Sequence, residues 1–298
     1  MRFWRWALGT WVGFRLFGPV LGPRFKPPQE HPWRLPARTV FVGDEEFIVR
    51  EAGPEGTEPI LLIHGLAGSS LGEWYQIGEM LAEERRVIMI DHRNHGLAPQ
   101  AVERYEIEDV ADDIAAVLDE MGLGAVHVMG YSMGGVIAQS VAYRHPGKVS
   151  KLVLVATLAA HPAGMRRLRQ GGVLLTRAWE RLTGLGTSDV RTAYLLGTSA
   201  VSLRHARWLW VEAHRRNPDA GAQATLALLR FDSRSWVGRL GVETLVVIPT
   251  HDLLVPPAWQ YELAGLIPGA KIAEVVGARH EVVWSHSELV LKELAAFL

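Results

Sequence analysis

Residues Gly130 to Gly135, "GYSMGG", follow directly on the apolar run "AVHVM". A serine set between glycines at the end of a buried strand implies a very sharp turn into a helix. Glycines two positions before and two after Ser132 let backbone and neighbours crowd together there. In a strand–turn–helix setting, G-x-S-x-G holds the serine hydroxyl out of the sheet. That hydroxyl is a poor nucleophile until a neighbouring imidazole accepts its proton, so the chain must also supply a base. Three further apolar runs end in suitable residues: "LLIHGLAGSS" at His64–Gly65, "LVVIPTHD" at Asp252 and "AEVVGARH" at His280. Ligand and catalytic groups of parallel sheets gather beyond the carboxyl ends of strands, where all of these lie.

Each of these residues has a plainer reading. Asp252 is near the start of a helix in "HDLLVPPAW" and could serve only as its cap. His286, just before the final helix, competes with His280, but His280 ends a strand and is favoured. His64 reads as structural, bracing the loop after its strand, and so do His92 and His95 in the loop after "RVIMI". Asp91 is expected to tie that loop down through backbone N–H groups.

Bulk properties narrow the choices. The 298 residues suffice for one large α/β domain or two smaller ones. A formal net charge of −1 provides no basic field for phosphates and argues against nucleic acid as the main partner. With no cysteine there are no disulfides, thiolate metal sites or cysteine nucleophiles.

The first segment, "MRFWRWALGTWVGFRLFGPVLGPRFKPP", mixes Trp4, Trp6, Trp11, Phe14 and Phe17 with Arg2, Arg5, Arg15, Arg24 and Lys26. Arg5, Arg15 and repeated glycines interrupt the apolar run of a secretory signal, and Arg15 breaks any spanning helix. Aromatic and basic residues together suit peripheral contact with a membrane interface through residues 1–28, on the cytoplasmic side. The alternatives are an arm packed on the domain's own apolar surface, or an export signal of unusual form.

Beyond Pro36, "RTVFVGDEEFIVREAG" predicts a hairpin turning at Gly43–Asp44. The runs "PILLIHG", "RVIMIDHR", "AVHVMGYS" and "KLVLVAT" then read as doubly covered parallel strands. Between them lie helical patterns such as "IEDVADDIAAVLDEMG", with Val110, Ile114, Val117 and Leu118 at helical spacing and a stop at Gly122. This alternation predicts an α/β fold with a mostly parallel sheet flanked by helices. It is interrupted from about His161 to Trp236 by helices alone, which read as an inserted helical cap. The expected division is an arm at 1–36, a core of 37–160 and 237–298, and a cap at 161–236. The cap carries roughly a dozen arginines against about five acids, with Trp179, Trp208 and Trp210. Such arginines could orient an anionic head group or rest on lipid, though most read as solvated. Leu174, Leu175, Leu195 and Leu196 read as core.

Together these motifs resemble the α/β-hydrolase fold superfamily, in the branch of esterases, lipases, haloperoxidase-like perhydrolases and C–C bond hydrolases. "HGLAGSS" resembles its H-G-x-x-G-S loop, "DHRNHG" its D-x-R-G-x-G loop, "GYSMGG" its nucleophile elbow and "HDLLVPP" its acid turn. The order Ser132, Asp252, His280 is that of the family's triad. The sequence departs from the pattern at Asn94, at Thr250–His251 and at Arg279, where glycines are usual; no acidic-proline pair follows His280.

The resemblance implies Ser132 as nucleophile, His280 as base and Asp252 as the acid that fixes the imidazole tautomer. It also implies backbone N–H groups of Leu66 and Met133 as the oxyanion hole, and no metal or organic cofactor. The expected reaction is hydrolysis of a carboxylic ester, with a hydrophobic or lipid-like small molecule favoured over a small polar one. A thioester, a C–C bond or perhydrolysis would use the same triad. A membrane-associated binding protein without turnover is the alternative on the same fold.

Overall fold

The computed structural model describes residues 32–298, apart from Val102, Gly184, Leu185 and Arg216. The aromatic and basic segment of residues 1–28 lies outside the described residues. One sheet of eight strands organises the chain, comprising β1 (Ala37–Val42), β2 (Glu45–Ala52), β3 (Ile60–Ile63), β4 (Val87–Ile90), β5 (Val126–Tyr131), β6 (Val149–Val155), β7 (Glu243–Pro249) and β8 (Lys271–Val275). Their spatial order is β1-β2-β4-β3-β5-β6-β7-β8. The β1–β2 hairpin turns at Gly43 and is antiparallel, as is the β2–β4 pairing; all later pairs are parallel. The sheet is therefore mostly parallel, as the strand–helix alternation predicts.

Every residue of β3, β4 and β5 is buried, because helices cover both faces. On one face lie α2 (Ile107–Glu120) and α3 (Met133–Arg144). The periodic residues Val110, Ile114, Val117 and Leu118 of α2 are buried there. The Glu106 N–H donates to the Asp109 carboxylate at the start of α2, and Gly122, at φ 68°, follows its end. On the other face lie α1 (Ser70–Leu81), α9 (Val282–Ser285) and α10 (Ser287–Phe297), with Trp74 and Trp284 between them. Trp33, in the segment before β1, packs against this second cluster beside Gly78 of α1. α8 (Pro257–Leu266) connects β7 to β8.

Between β6 and β7 the chain forms α4 (Ala163–Thr183), α5 (Thr187–Gly197), α6 (Ala206–Ala213) and α7 (Pro218–Arg230). Leu195 and Leu196 are core, as the sequence suggested, but Leu174 and Leu175 are 66% and 74% exposed. The arginines of α4 explain the difference. Arg166 turns toward Asp232 at 3.8 Å and Arg177 pairs with Asp219, so the leucines of that helix face outward. The arginines of this insertion are also less solvated than their sequence suggests. Arg166, Arg177, Arg191, Arg215, Arg230 and Arg234 each meet a carboxylate.

The junction of β5 and α3 has room only for glycine. A Cβ at Gly130 would lie 2.3 Å from the Gly134 carbonyl oxygen, and one at Gly134 would lie 2.1 Å from the Ile63 carbonyl oxygen. Both obstacles are backbone, which cannot swing aside. Gly130→Ala is therefore expected to destabilise the protein by about 3 kcal/mol or more. Gly147→Ala, where the added carbon meets open space, should stay within about 1 kcal/mol. Urea midpoints compare the two, and equal shifts would contradict this account of the turn.

Candidate active site

Ser132 joins β5 to α3 with φ 54° and ψ −117°, a conformation that a non-glycine residue keeps only when its surroundings enforce it. Its N–H donates to the Val155 carbonyl at 2.9 Å, and its own carbonyl accepts the Thr157 hydroxyl at 2.7 Å. The turn is thus pinned to the end of β6 and the residues just after it, through both the N–H and the carbonyl of the strained residue.

The structure brings Ser132, His280 and Asp252 together. The His280 Nε2 stands 3.1 Å from the Ser132 Oγ, and its Nδ1 stands 2.7 Å from the Asp252 Oδ2. A carboxylate at Nδ1 places the ring proton there and leaves the Nε2 lone pair toward the serine hydroxyl. Asp252 is buried, and its two readings fall on different oxygens. Oδ1 accepts the backbone N–H groups of Leu254 at 2.8 Å and Val255 at 2.9 Å, while Oδ2 holds the imidazole. Gln260 donates to Oδ2 as well, at 3.2 Å. His280 is steadied from below by the Tyr131 hydroxyl, which donates to its carbonyl at 2.8 Å. His286 is outside this group; its Nδ1 is 2.8 Å from the Ser285 hydroxyl.

Leu66 and Met133 both line the space above Ser132. Among the described residues, no acceptor meets the backbone N–H of either one. Met133 opens α3, so its N–H also carries the positive end of the helix dipole. The loop bearing Leu66 is held by a residue the sequence did not single out. Glu73, in the first turn of α1 and 1% exposed, accepts the Gly65 N–H at 3.0 Å and pairs with Arg191 of α5. Arg191 also donates to the Ala67 carbonyl at 3.1 Å. Burial pushes the Glu73 carboxyl upward, and the Arg191 guanidinium pulls it back. In the sequence Glu73 resembles any acid in a helix's first turn.

His64, His92 and Asp91 take the structural places expected of them. The His64 Nδ1–H donates to the Gly65 carbonyl at 2.9 Å, its Nε2 accepts the His92 N–H at 3.3 Å, and the two rings stack at 3.9 Å. Burial lowers His64 to about 3 and lowers His92 as well. Asp91 accepts the N–H groups of Ser70 at 2.7 Å and Leu97 at 3.0 Å. Asn94, in place of the usual glycine, adopts φ 66° and donates to the Ala220 carbonyl of α7 at 3.0 Å.

A cavity of about 1110 Å³ opens over these groups, generous for a small-molecule site. Its lining is chiefly apolar and includes Leu158, Val190, Leu195, Leu229 and Trp284 beside Ser132 and His280. Among the described residues, no group of three or more His, Asp or Glu side chains is placed to hold a metal ion.

The α/β-hydrolase fold family matches residues 58–194. The chain is 30% identical over 240 residues to a provisionally named carbamate hydrolase RutD of Azorhizobium caulinodans, covering 80% of this chain and 89% of that protein. Its namesake in Caulobacter segnis is 28% identical over 250 residues, covering 82% of this chain and 92% of that protein. Among solved structures, an esterase of Exiguobacterium antarcticum superposes with a TM-score of 0.74 at 20% identity, covering 88% of this chain and 99% of that one.

The buried histidines beneath the Leu66 loop make stability depend on pH. Both are held neutral when folded, His64 with its value near 3, whereas an unfolded imidazole binds its proton at about 6.5. Between those values the unfolded chain binds more protons, so stability rises with pH. This contribution is whole above about 6.5 and is lost as pH falls toward 3. At pH 5 His64 alone should cost about 2 kcal/mol, and His92 acts in the same direction. Urea midpoints are expected to fall stepwise from pH 7.5 to 6 to 5; a flat series would mean the pair is protonated in the native state.

Proposed function

The chain belongs to the α/β-hydrolase family and is one of its enzymes, and we propose that it is a serine hydrolase cleaving a carboxylic ester of a hydrophobic, lipid-like molecule. The observation that carries this reading is the continuous line from the Ser132 Oγ through the His280 ring to the Asp252 Oδ2, with separations of 3.1 and 2.7 Å. The apolar lining of the cavity above it supports a hydrophobic substrate.

In this mechanism His280 takes the Ser132 proton as the hydroxyl oxygen attacks the ester carbonyl carbon. Asp252 stabilises the imidazolium so formed without itself taking the proton. Negative charge on the carbonyl oxygen is received by the N–H groups of Leu66 and Met133. The imidazolium then protonates the departing alcohol, leaving an acyl-serine that water hydrolyses by the same steps. A thioester, a C–C bond or a peroxide-forming acyl transfer would call on the same groups. So would a carbamate carbonyl, the substrate class for which the RutD relatives are named.

Ser132→Ala and His280→Ala are expected to lose activity to a similar degree, roughly 10⁶-fold in kcat, because members of one relay are not additive. Asp252→Asn should lose roughly 10⁴-fold and His286→Ala almost nothing. A fluorophosphonate should label the wild type at Ser132 and leave His280→Ala unlabelled. Normal turnover in His280→Ala with loss in His286→Ala would reassign the base, and an unlabelled wild type would favour a binding protein over an enzyme of this mechanism.

Peripheral contact with a cytoplasmic, anionic membrane surface belongs to the same proposal. Residues 1–28 offer aromatic side chains and Arg2, Arg5, Arg15, Arg24 and Lys26. On α4, Leu168, Leu175 and Leu182 are exposed at intervals of seven residues, beside Trp179. Full-length protein should sediment with anionic vesicles at low salt and be released at high salt, while a chain starting at Pro32, which keeps Trp33 on the core, stays folded and loses most of that binding. Unfolding of the shortened chain, with no vesicle binding by the full one, would make the arm structural.

A further inference from the structure

One corner of the cavity holds a cation that no carboxylate among the described residues answers. Arg169, on α4, and His161, in the segment just after β6, both line the cavity. His161 is 4% exposed, and its Nδ1 accepts a hydrogen bond from the Arg169 Nη1 at 3.0 Å. The ring proton therefore sits on Nε2, and among the described residues that N–H has no acceptor. Trp259 of α8 closes the corner, with the guanidinium 5.6 Å from its ring centre and the imidazole edge-on at 6.0 Å.

The surroundings do not neutralise this arginine. Nearby Asp232 is already shared between Arg166 and Arg234, and Arg169 has no ion-pair partner among the described residues. Burial lowers the Arg169 guanidinium, with no carboxylate acting to raise it. The field at His161 has the same sign: burial first, then Arg169 and Arg166, bring it down to about 4. A partly buried guanidinium and an imidazole N–H, both short of acceptors, carry a desolvation cost that a ligand anion would offset.

Resting on the serine-ester reading above, we propose that Arg169 and His161 form an anion subsite for a carboxylate at the far end of an otherwise apolar acyl chain. The preferred substrate class is then the hemi-ester of a medium-chain dicarboxylic acid. The planar fork of a guanidinium matches a carboxylate with two parallel hydrogen bonds, which an ammonium cannot reproduce. Leu158, Val173, Leu228 and Leu229, which line the same cavity, offer apolar surface to the stretch between the two ends.

The test compares mono-4-nitrophenyl suberate with neutral 4-nitrophenyl octanoate in wild type, R169M and R169K. R169M should lower kcat/KM for the hemi-ester by about 30-fold or more, chiefly through KM, and change the neutral ester by less than about 3-fold. R169K should fall between, since it keeps the charge and loses the fork. Unchanged turnover of the neutral ester also shows that the variant is folded. Equal losses on both esters would overturn the subsite and leave Arg169 a packing residue. Calorimetry of free suberate with Ser132→Ala and with Ser132→Ala/R169M separates this proposal from the reaction assigned to the site. Suberate bound by the first and not the second, with neither ester turned over by wild type, sinks the ester reading and keeps the subsite. No suberate binding, with both esters cleaved equally by wild type and R169M, sinks the subsite and keeps the ester reading.

Discussion

The backbone of Ser132, at φ 54° and ψ −117°, is the constraint around which the carboxyl edge of the sheet is arranged. Such a conformation costs on the order of 1–3 kcal/mol and survives only where its neighbours leave no alternative. Here Val155 and Thr157 of the adjacent chain segment hold the turn, and glycines at 130 and 134 let two stretches of backbone touch. The same strain has two chemical results. It lifts the hydroxyl into reach of His280, and it starts α3 one residue later, so that the Met133 N–H emerges beside it. The proposed nucleophile and oxyanion donor would thus be set by a single turn, and the spacing of the Ser132 hydroxyl and the Met133 N–H does not depend on distant elements.

The second donor proposed, the Leu66 N–H, has no such turn, and its loop is positioned by charge. Glu73 takes the Gly65 N–H on one side of the loop, and Arg191 takes the Ala67 carbonyl on the other, with the two side chains paired across the loop. The pair is buried on the Glu73 side, where removing the arginine would leave an unneutralised carboxylate, a far larger penalty than the pair's net worth. Arg191 comes from α5, so the insertion that roofs the cavity also braces the loop beneath it. Movement of α5 away from the sheet would therefore release the Leu66 loop as well as open the cavity.

Much of this was legible in the sequence because the informative residues serve local structure and chemistry together. The apolar runs ending at His64, Ser132, Asp252 and His280 mark strands by composition, and their last residues mark the face where strands of such sheets present their groups. Asp252 was open to two readings because it does two things, one with each oxygen. Glu73 was not legible: its partner Arg191 lies 118 positions later, and no local pattern connects them. Leu174 and Leu175 were misread for a related reason. Helical spacing separates an apolar face from a basic one without saying which faces inward, and Asp219 and Asp232, far along the chain, decide that for α4. The aromatic segment of residues 1–28 lies outside the described residues, so its place rests on composition.

The charges around the cavity have an asymmetry that bears on what can react there. Three of the carboxylates that line it, and Asp252 behind His280, are already engaged. Glu73 meets Arg191, Asp252 meets the His280 ring, and Glu281 accepts the Tyr194 hydroxyl at 2.6 Å. Asp189 accepts the Gly186 N–H at 2.8 Å and the Trp210 indole at 3.2 Å. None of the four is left as an unanswered anion, whereas among the described residues Arg169 has no carboxylate partner and the N–H groups of Leu66 and Met133 have no acceptor. In an apolar enclosure such unmatched donors act at low effective dielectric, where each is worth more than in water. The field of the site therefore favours negative charge at two places, over the reacting carbonyl and in the Arg169 corner. Selection between ligands then follows from which protein groups the fold leaves without a partner.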